Sequence, residues 1–147
     1  MKTTKNSLTR EDISEEAKWD LNGLYLQESL WHEDFKKLES DLTGYESFKG
    51  TLASSATNIK ACLEFDIDIS RRIEKLYTYA HLRNDEDKTH SQNQSNFEKV
   101  VRLHTLAAQA NSFIPSELTS ISEDRMNHFL ESAELSFYRL HLERILR

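Results

Sequence analysis

The run Ile69 to Leu82, ISRRIEKLYTYAHL, limits what this chain can become more than any other stretch. Its apolar residues Ile69, Ile73, Leu76, Tyr77 and Ala80 are spaced four, three, one and three apart. At about 100° per residue those steps gather them on one stripe of an α-helix, with Arg71, Arg72, Glu74 and Lys75 on the other faces. An apolar stripe in water is unfavourable and has to be covered. Other helices are the natural cover, because helical periodicity recurs along the chain.

Trp31, Phe35, Leu38, Leu42 and Tyr45 step by four, three, four and three. This heptad-like seam predicts a helix from Glu28 to about Ser47. Glu28 near its start and Lys49 near its end suit the helix dipole, and Gly50 is a C-terminal stop. Ser54 or Ser55 then caps a helix carrying Ile59, Cys62 and Leu63. The alternating Phe65-Asp66-Ile67-Asp68-Ile69 resembles a strand in isolation. Helical patterns flank it and no partner strand is visible, so a kink or short link into the Ile69 helix is expected. The acidic run Asn84 to Asp87 suits a helix N-terminus better than a C-terminus and is read as opening the next helix. That helix extends to about Ser112 and presents Phe97, Val100, Val101, His104, Ala107 and Ala108. Pro115 closes it and fits the first turn of a short successor. Ser122 opens another helix with Met126, Phe129 and Leu130 on its apolar side. A last helix begins near Leu135 and carries Phe137, Tyr138, Leu142, Ile145 and Leu146.

Before these helices, Thr9 and Asp12 suggest a capped turn. Trp19, Leu21, Leu24 and Tyr25, broken by a turn at Asn22-Gly23, form a segment expected to clip onto the body. The expected organisation is a loosely ordered segment at 1–18 and one helical domain at 19–147. The fold class is all-α, an antiparallel array or bundle of about five to seven helices. Three glycines and one proline in 147 residues favour long helices over a sheet with many tight turns.

Charge and cysteine content exclude several roles. A net charge of -6 argues against a nucleic-acid or anionic-membrane surface. The single cysteine, Cys62, has no internal partner for a disulfide, and with no apolar leader-like start the chain is expected to be cytoplasmic. No apolar run approaches the roughly 18 residues of a membrane span.

The chemistry-bearing residues read mostly as structure. His32-Glu33 begins the zinc-peptidase pattern H-E-x-x-H, but position 36 is lysine, so the second ligand is missing and a cation replaces it. His128 and Glu131 lie one turn apart and read as a surface pair. His104 falls on the apolar face of its helix and is expected to be partly buried. Asp66 with Asp68, and Asp85 to Asp87, lack the glycine-bearing loop or opposed partner that calcium or glycosidase chemistry needs. Cys62, between Ile59 and Leu63, reads as an inert core thiol. The aromatic residues fall mostly at core spacing. Tyr79 lies off the main stripe and is placed at a second interface or a cleft. Catalytic residues and metal ligands are both expected to be none.

Several stretches, in order, resemble the N-terminal region of oligoendopeptidase F, a thimet-oligopeptidase-like zinc metallopeptidase. They are Lys18-Trp19-Asp20-Leu21 with Leu24-Tyr25 and Trp31; Glu74 to Leu82 followed by the acidic run; Ser112 to Leu118 followed by Ile121; and Tyr138-Arg139-Leu140 through Arg147. The resemblance runs from about Trp19 to the last residue. It implies a parent enzyme that hydrolyses oligopeptides in a closed helical chamber, with zinc held by an H-E-x-x-H helix far downstream. The N-terminal helices are implied to form part of the chamber wall. No residue here matches the zinc-binding elements, so the resemblance implies a non-catalytic piece whose partner is the catalytic domain in cis. The last helix stops within its pattern, and Tyr138, Leu142, Ile145 and Leu146 are expected to lack cover, so self-association through that helix is expected. The rival reading is a self-sufficient helical adaptor that binds a protein or peptide.

Overall fold

The structure, a computed structural model, describes residues 10–147. The expected Thr9 cap lies outside the described residues. Among the described residues there are six α-helices, four short 3-10 segments and no strand. The helices are α1 (Glu28–Asp41), α2 (Ala56–Glu86), α3 (Ser91–Ala110), α4 (Phe113–Ser120), α5 (Glu123–Leu130) and α6 (Arg139–Ile145). The all-α expectation therefore holds.

Helix α2 is the axis of the fold. Its 31 residues rise about 46 Å at 1.5 Å each. Ser55 caps it, its side chain accepting a hydrogen bond from the Asn58 amide at 3.1 Å. The start of α1 meets the far end of α2, where Trp31 Nε1 donates to the Leu76 carbonyl at 2.9 Å. Farther along, Arg72 reaches Asp41 at 2.8 Å and the Tyr45 hydroxyl donates to Asp66 at 2.6 Å. These pairings run in opposite directions along the two helices, so α1 and α2 are antiparallel. The same holds for α2 and α3, joined by Asn93 donating to the Arg83 carbonyl and by Asn111 donating to Asp66, each at 2.9 Å.

The seam at Trp31, Phe35, Leu38, Leu42 and Tyr45 packs inward, with Trp31 and Leu38 sealed from solvent. The chain tightens into 3-10 turns at Leu42–Ser47, and Gly50 takes φ +75° in the connection to α2, a conformation that suits glycine. The other half of α2 is met by the 3-10 turn Ala133–Tyr138, Thr57 donating to Glu134 at 2.7 Å and Tyr138 donating to Glu64 at 3.3 Å, while α4 and α5 hold the connection ahead of α2. Glu117 accepts from the Gly50 amide at 2.5 Å, and Arg125 donates to the Ala53 and Ser54 carbonyls at 2.8 and 3.2 Å. Leu118, Leu135 and Leu142 complete the core there.

Four expectations need correction. The Phe65–Ile69 run is not a kink: α2 passes through it unbroken. Its carboxylates are satisfied sideways, Asp66 by Tyr45 and Asn111 and Asp68 by Arg72 at 3.5 Å, so the acidic alternation costs the helix little. The acidic run at 84–86 closes α2 instead of opening α3. Arg10 and Arg83 flank Glu86 at 2.7 and 3.1 Å and offset its poor placement at a helix C-terminus. Asp87 then accepts from the Thr89 amide and hydroxyl in the turn that leads to α3. On α3 the buried face is Asn93, Asn96, Val100, Leu103 and Ala107, whereas Val101, His104 and Ala108 are exposed. Finally, Leu142 is fully buried, with Tyr138, Ile145 and Leu146 packed beside the core; the exposed apolar residues at this end are Phe137 and Leu140.

Candidate functional site

The polar and aromatic side chains that the sequence leaves unexplained gather at one end of the molecule. There the segment before α1, the start of α1, the end of α2 and the start of α3 meet. Tyr79 is buried, and its ring packs edge-on against Tyr25 with centroids 5.2 Å apart. Tyr25 donates to Asp34 at 2.9 Å and lies under Lys75 Nζ, 4.3 Å from its ring centre. The placement of Tyr79 at a second interface is therefore seen, with the 19–25 segment as the second surface. Tyr77 takes the opposite edge of the helix, 37% exposed, with its ring against Phe97 at 5.5 Å. Both tyrosines lie about 80° from the centre of the stripe, so periodicity alone does not rank them. The neighbours decide, because Tyr25 covers the Tyr79 edge.

A cleft opens beside Tyr79, lined by Trp19, Tyr25, Glu28, Arg83, Lys18 and Arg10. Trp19 is 53% exposed, which departs from the core placement its spacing suggests. Burial raises the Tyr79 phenol above its ordinary range; the nearby Arg83 opposes the rise, and Glu28 and Glu86 add to it. At the back of this end, Asn96 donates to Glu28 at 2.7 Å and Gln92 donates to Asn96 at 2.9 Å. Asn93 and Asn96 are thus spent on holding α3 against α1 and α2.

A second polar cluster sits at mid-height of the bundle. Asp66 Oδ1 accepts from both Tyr45 and Asn111. Burial, followed by the hydrogen bond to Asp66, pushes the Tyr45 phenol well above its ordinary range. Cys62, one turn away and fully buried, is pushed up to about 12, first by burial and then by Asp66 and Glu117. A neutral thiol in that setting is no nucleophile.

Neither cluster is a metal centre. No group of three or more His, Cys, Asp or Glu side chains among the described residues is placed to hold a metal ion. His32 turns to Glu28 at 3.3 Å, on the same helix as Lys36. His81 lies against Asp85 at 3.1 Å, and His104, His128 and His141 are each on the surface.

The arrangement is a scaffold with a cleft. No family model matches the chain. The oligopeptidase PepF of Bacillus subtilis is 32% identical over 139 residues, 94% of this chain and 21% of that protein. The group B oligopeptidase PepB of Streptococcus agalactiae is 31% identical over 92% of this chain and 23% of its own length. A crystal structure of a Chlamydophila abortus protein assigned as a peptidase superposes on 95% of the chain with TM-score 0.85 at 30% identity. The crystal structure of oligoendopeptidase-F from Enterococcus faecium superposes on 82% with TM-score 0.72 at 28% identity. The chain matches a fragment of oligoendopeptidase F. It spans about a quarter of the length of these relatives. The oligoendopeptidase F family implies a metallopeptidase, but no metal site is shown among the described residues. No helix of the described residues is long and apolar enough to cross a membrane.

Proposed function

We propose that this chain is the N-terminal, chamber-wall part of an oligoendopeptidase F-type zinc metallopeptidase acting on short peptides, and that it is non-catalytic by itself. The observation that carries the proposal is the match along nearly the whole chain, in sequence and in fold, to about a quarter of longer peptidases. A wall needs a rigid helical layer with one face toward other protein. The axial α2 supplies the layer. Phe137 just ahead of α6 and Leu140 on it, 85% and 61% exposed, supply an apolar face for the catalytic domain in cis. We place the enzyme in the cytoplasm, where a lone reduced Cys62 is at home. The adaptor reading is not favoured, since the matched relatives are peptidases.

The test is a chimera in which this chain replaces the matching span of the Bacillus subtilis relative. Chelator-sensitive cleavage of short peptides by the chimera, with none by the 147-residue chain alone, is the expected result. A folded but inactive chimera, or stoichiometric zinc and cleavage by the chain alone, would overturn the proposal.

A further inference from the structure

The segment ahead of α1 carries a feature that neither the fold nor the proposed peptidase role requires. Its 3-10 turns at Arg10–Asp12 and Glu15–Ala17 bury no side chain, yet they lie across the end of the bundle. Arg10 joins them to the body through Glu86, whose side chain is only 4% exposed. Arg83 donates to Glu86 Oε2 at 3.1 Å. Arg10 Nη1 lies 2.7 Å from Oε1 but off the line of a hydrogen bond, and that oxygen has no donor among the described residues. The contact is electrostatic and geometrically unfinished. On one flank of the segment lies the cleft of about 490 Å³ whose lining includes Tyr25 and Tyr79. On the other lies a cavity of about 280 Å³ lined by Ile13, Ala17, Trp19 and Asp85. Trp19 and Lys18 line both spaces.

We infer that residues 10–20 are a strap latched by the Arg10–Glu86–Arg83 triad, and that releasing the latch swings the strap off the Tyr25–Tyr79 cleft. The physical basis is an imbalance. The strap buries no side chain in its turns, so apolar packing contributes little to holding it, whereas Glu86 is fixed in the wall by Arg83 whether the strap is closed or open. Loss of Arg10 therefore leaves the carboxylate with one guanidinium and the body intact. The inference stands apart from the peptidase proposal, because it concerns only this segment and the surface beneath it.

Tryptic cleavage at Lys18-Trp19 reads the latch directly. The Lys18 side chain is tucked in at 16% exposure and paired with Glu15 at 2.5 Å, so the closed strap protects that bond. Glu86→Gln and Arg10→Gln are each expected to speed cleavage there roughly tenfold, while cleavage within α1 to α6 stays at the parent rate. Glu74→Gln makes the same charge change on an exposed part of α2 and is expected to leave the Lys18-Trp19 rate unchanged. Unchanged cleavage in both latch variants would overturn the inference. So would a parallel rise at bonds throughout the helices, which would mean that the triad holds the whole fold and not a strap.

Discussion

At the scale of single residues, the molecule keeps its polar chemistry inside and uses it as structure. Asp66 is the clearest case, one oxygen receiving donors from Tyr45 near the end of α1 and Asn111 at the end of α3. Asp66→Ala leaves both donors unpaired, and a loss of about 2 kcal/mol is expected by urea unfolding. Pairing it with Tyr45→Phe should recover part of that loss, since one orphaned donor is then removed. Cys62 gives a pH signature. Its thiol is held at about 12 in the folded chain, against an ordinary 9.0. Between those values the unfolded chain has released the proton and the folded chain has not. The contribution is complete below pH 9 and is lost as pH rises toward 12, so unfolding midpoints should fall across that window. Tyr25 and Tyr45, also raised by burial, add to the fall above their ordinary value of 10.0. Cys62→Ala should remove the part of the decline that begins first. A native chain whose Cys62 reacts with a thiol reagent at pH 7 as fast as the urea-unfolded chain would contradict this account.

At the scale of elements, α2 is a single rod, and its continuity is testable. Ile67→Pro falls where the sequence suggests a link, and a real link would tolerate it. In the unbroken helix it removes a backbone hydrogen bond and clashes with the preceding turn, so a loss of about 3 kcal/mol or more is expected by thermal unfolding. The same helix shows what was legible in the sequence. Where one periodicity dominates, as in the Trp31–Tyr45 seam or at Ile69, Ile73, Leu76 and Ala80, spacing located the core because burial follows the helical angle alone. Where a residue sits at the edge of a stripe, the neighbour decides, and Tyr77 and Tyr79 exchange roles for that reason. Local charge rules failed at 84–86 because one of the two compensating cations, Arg10, comes from over seventy residues away and joins the local Arg83. The α3 face turned on the same point: Asn93 and Asn96 are buried because Glu28 and the Arg83 carbonyl accept from them, and no pattern within α3 announces that. The cleft was legible only through Tyr79, since its other walls come from distant parts of the chain.

At the scale of the whole molecule, helices α1 and α3 flank α2 along one half and the 3-10 turn Ala133–Tyr138 meets the other, and an apolar surface stays uncovered where that turn runs into α6. It does not consist of the residues that sequence pattern suggests. Leu142 is sealed in the core, and Phe137 and Leu140 stand out instead, because the 3-10 turn at Ala133–Tyr138 shifts the phase before α6 begins. Burying a phenylalanine and a leucine yields on the order of 2 kcal/mol each, enough to drive weak pairing of two copies when nothing else covers them. The 147-residue chain is therefore expected to self-associate at high concentration, measured by light scattering on a size-exclusion column. Phe137→Ser with Leu140→Ser should abolish that association without lowering the unfolding midpoint, since neither side chain takes part in the core. In the chimera with the Bacillus subtilis relative the prediction changes sign. If the catalytic domain covers this face, the two serines leave the chimera monomeric, as before, but weaken the hold between the two parts and lower its thermal midpoint. A strict monomer of the 147-residue chain at high concentration, together with a chimera indifferent to both substitutions, would show that this face contacts neither a second copy nor the catalytic domain.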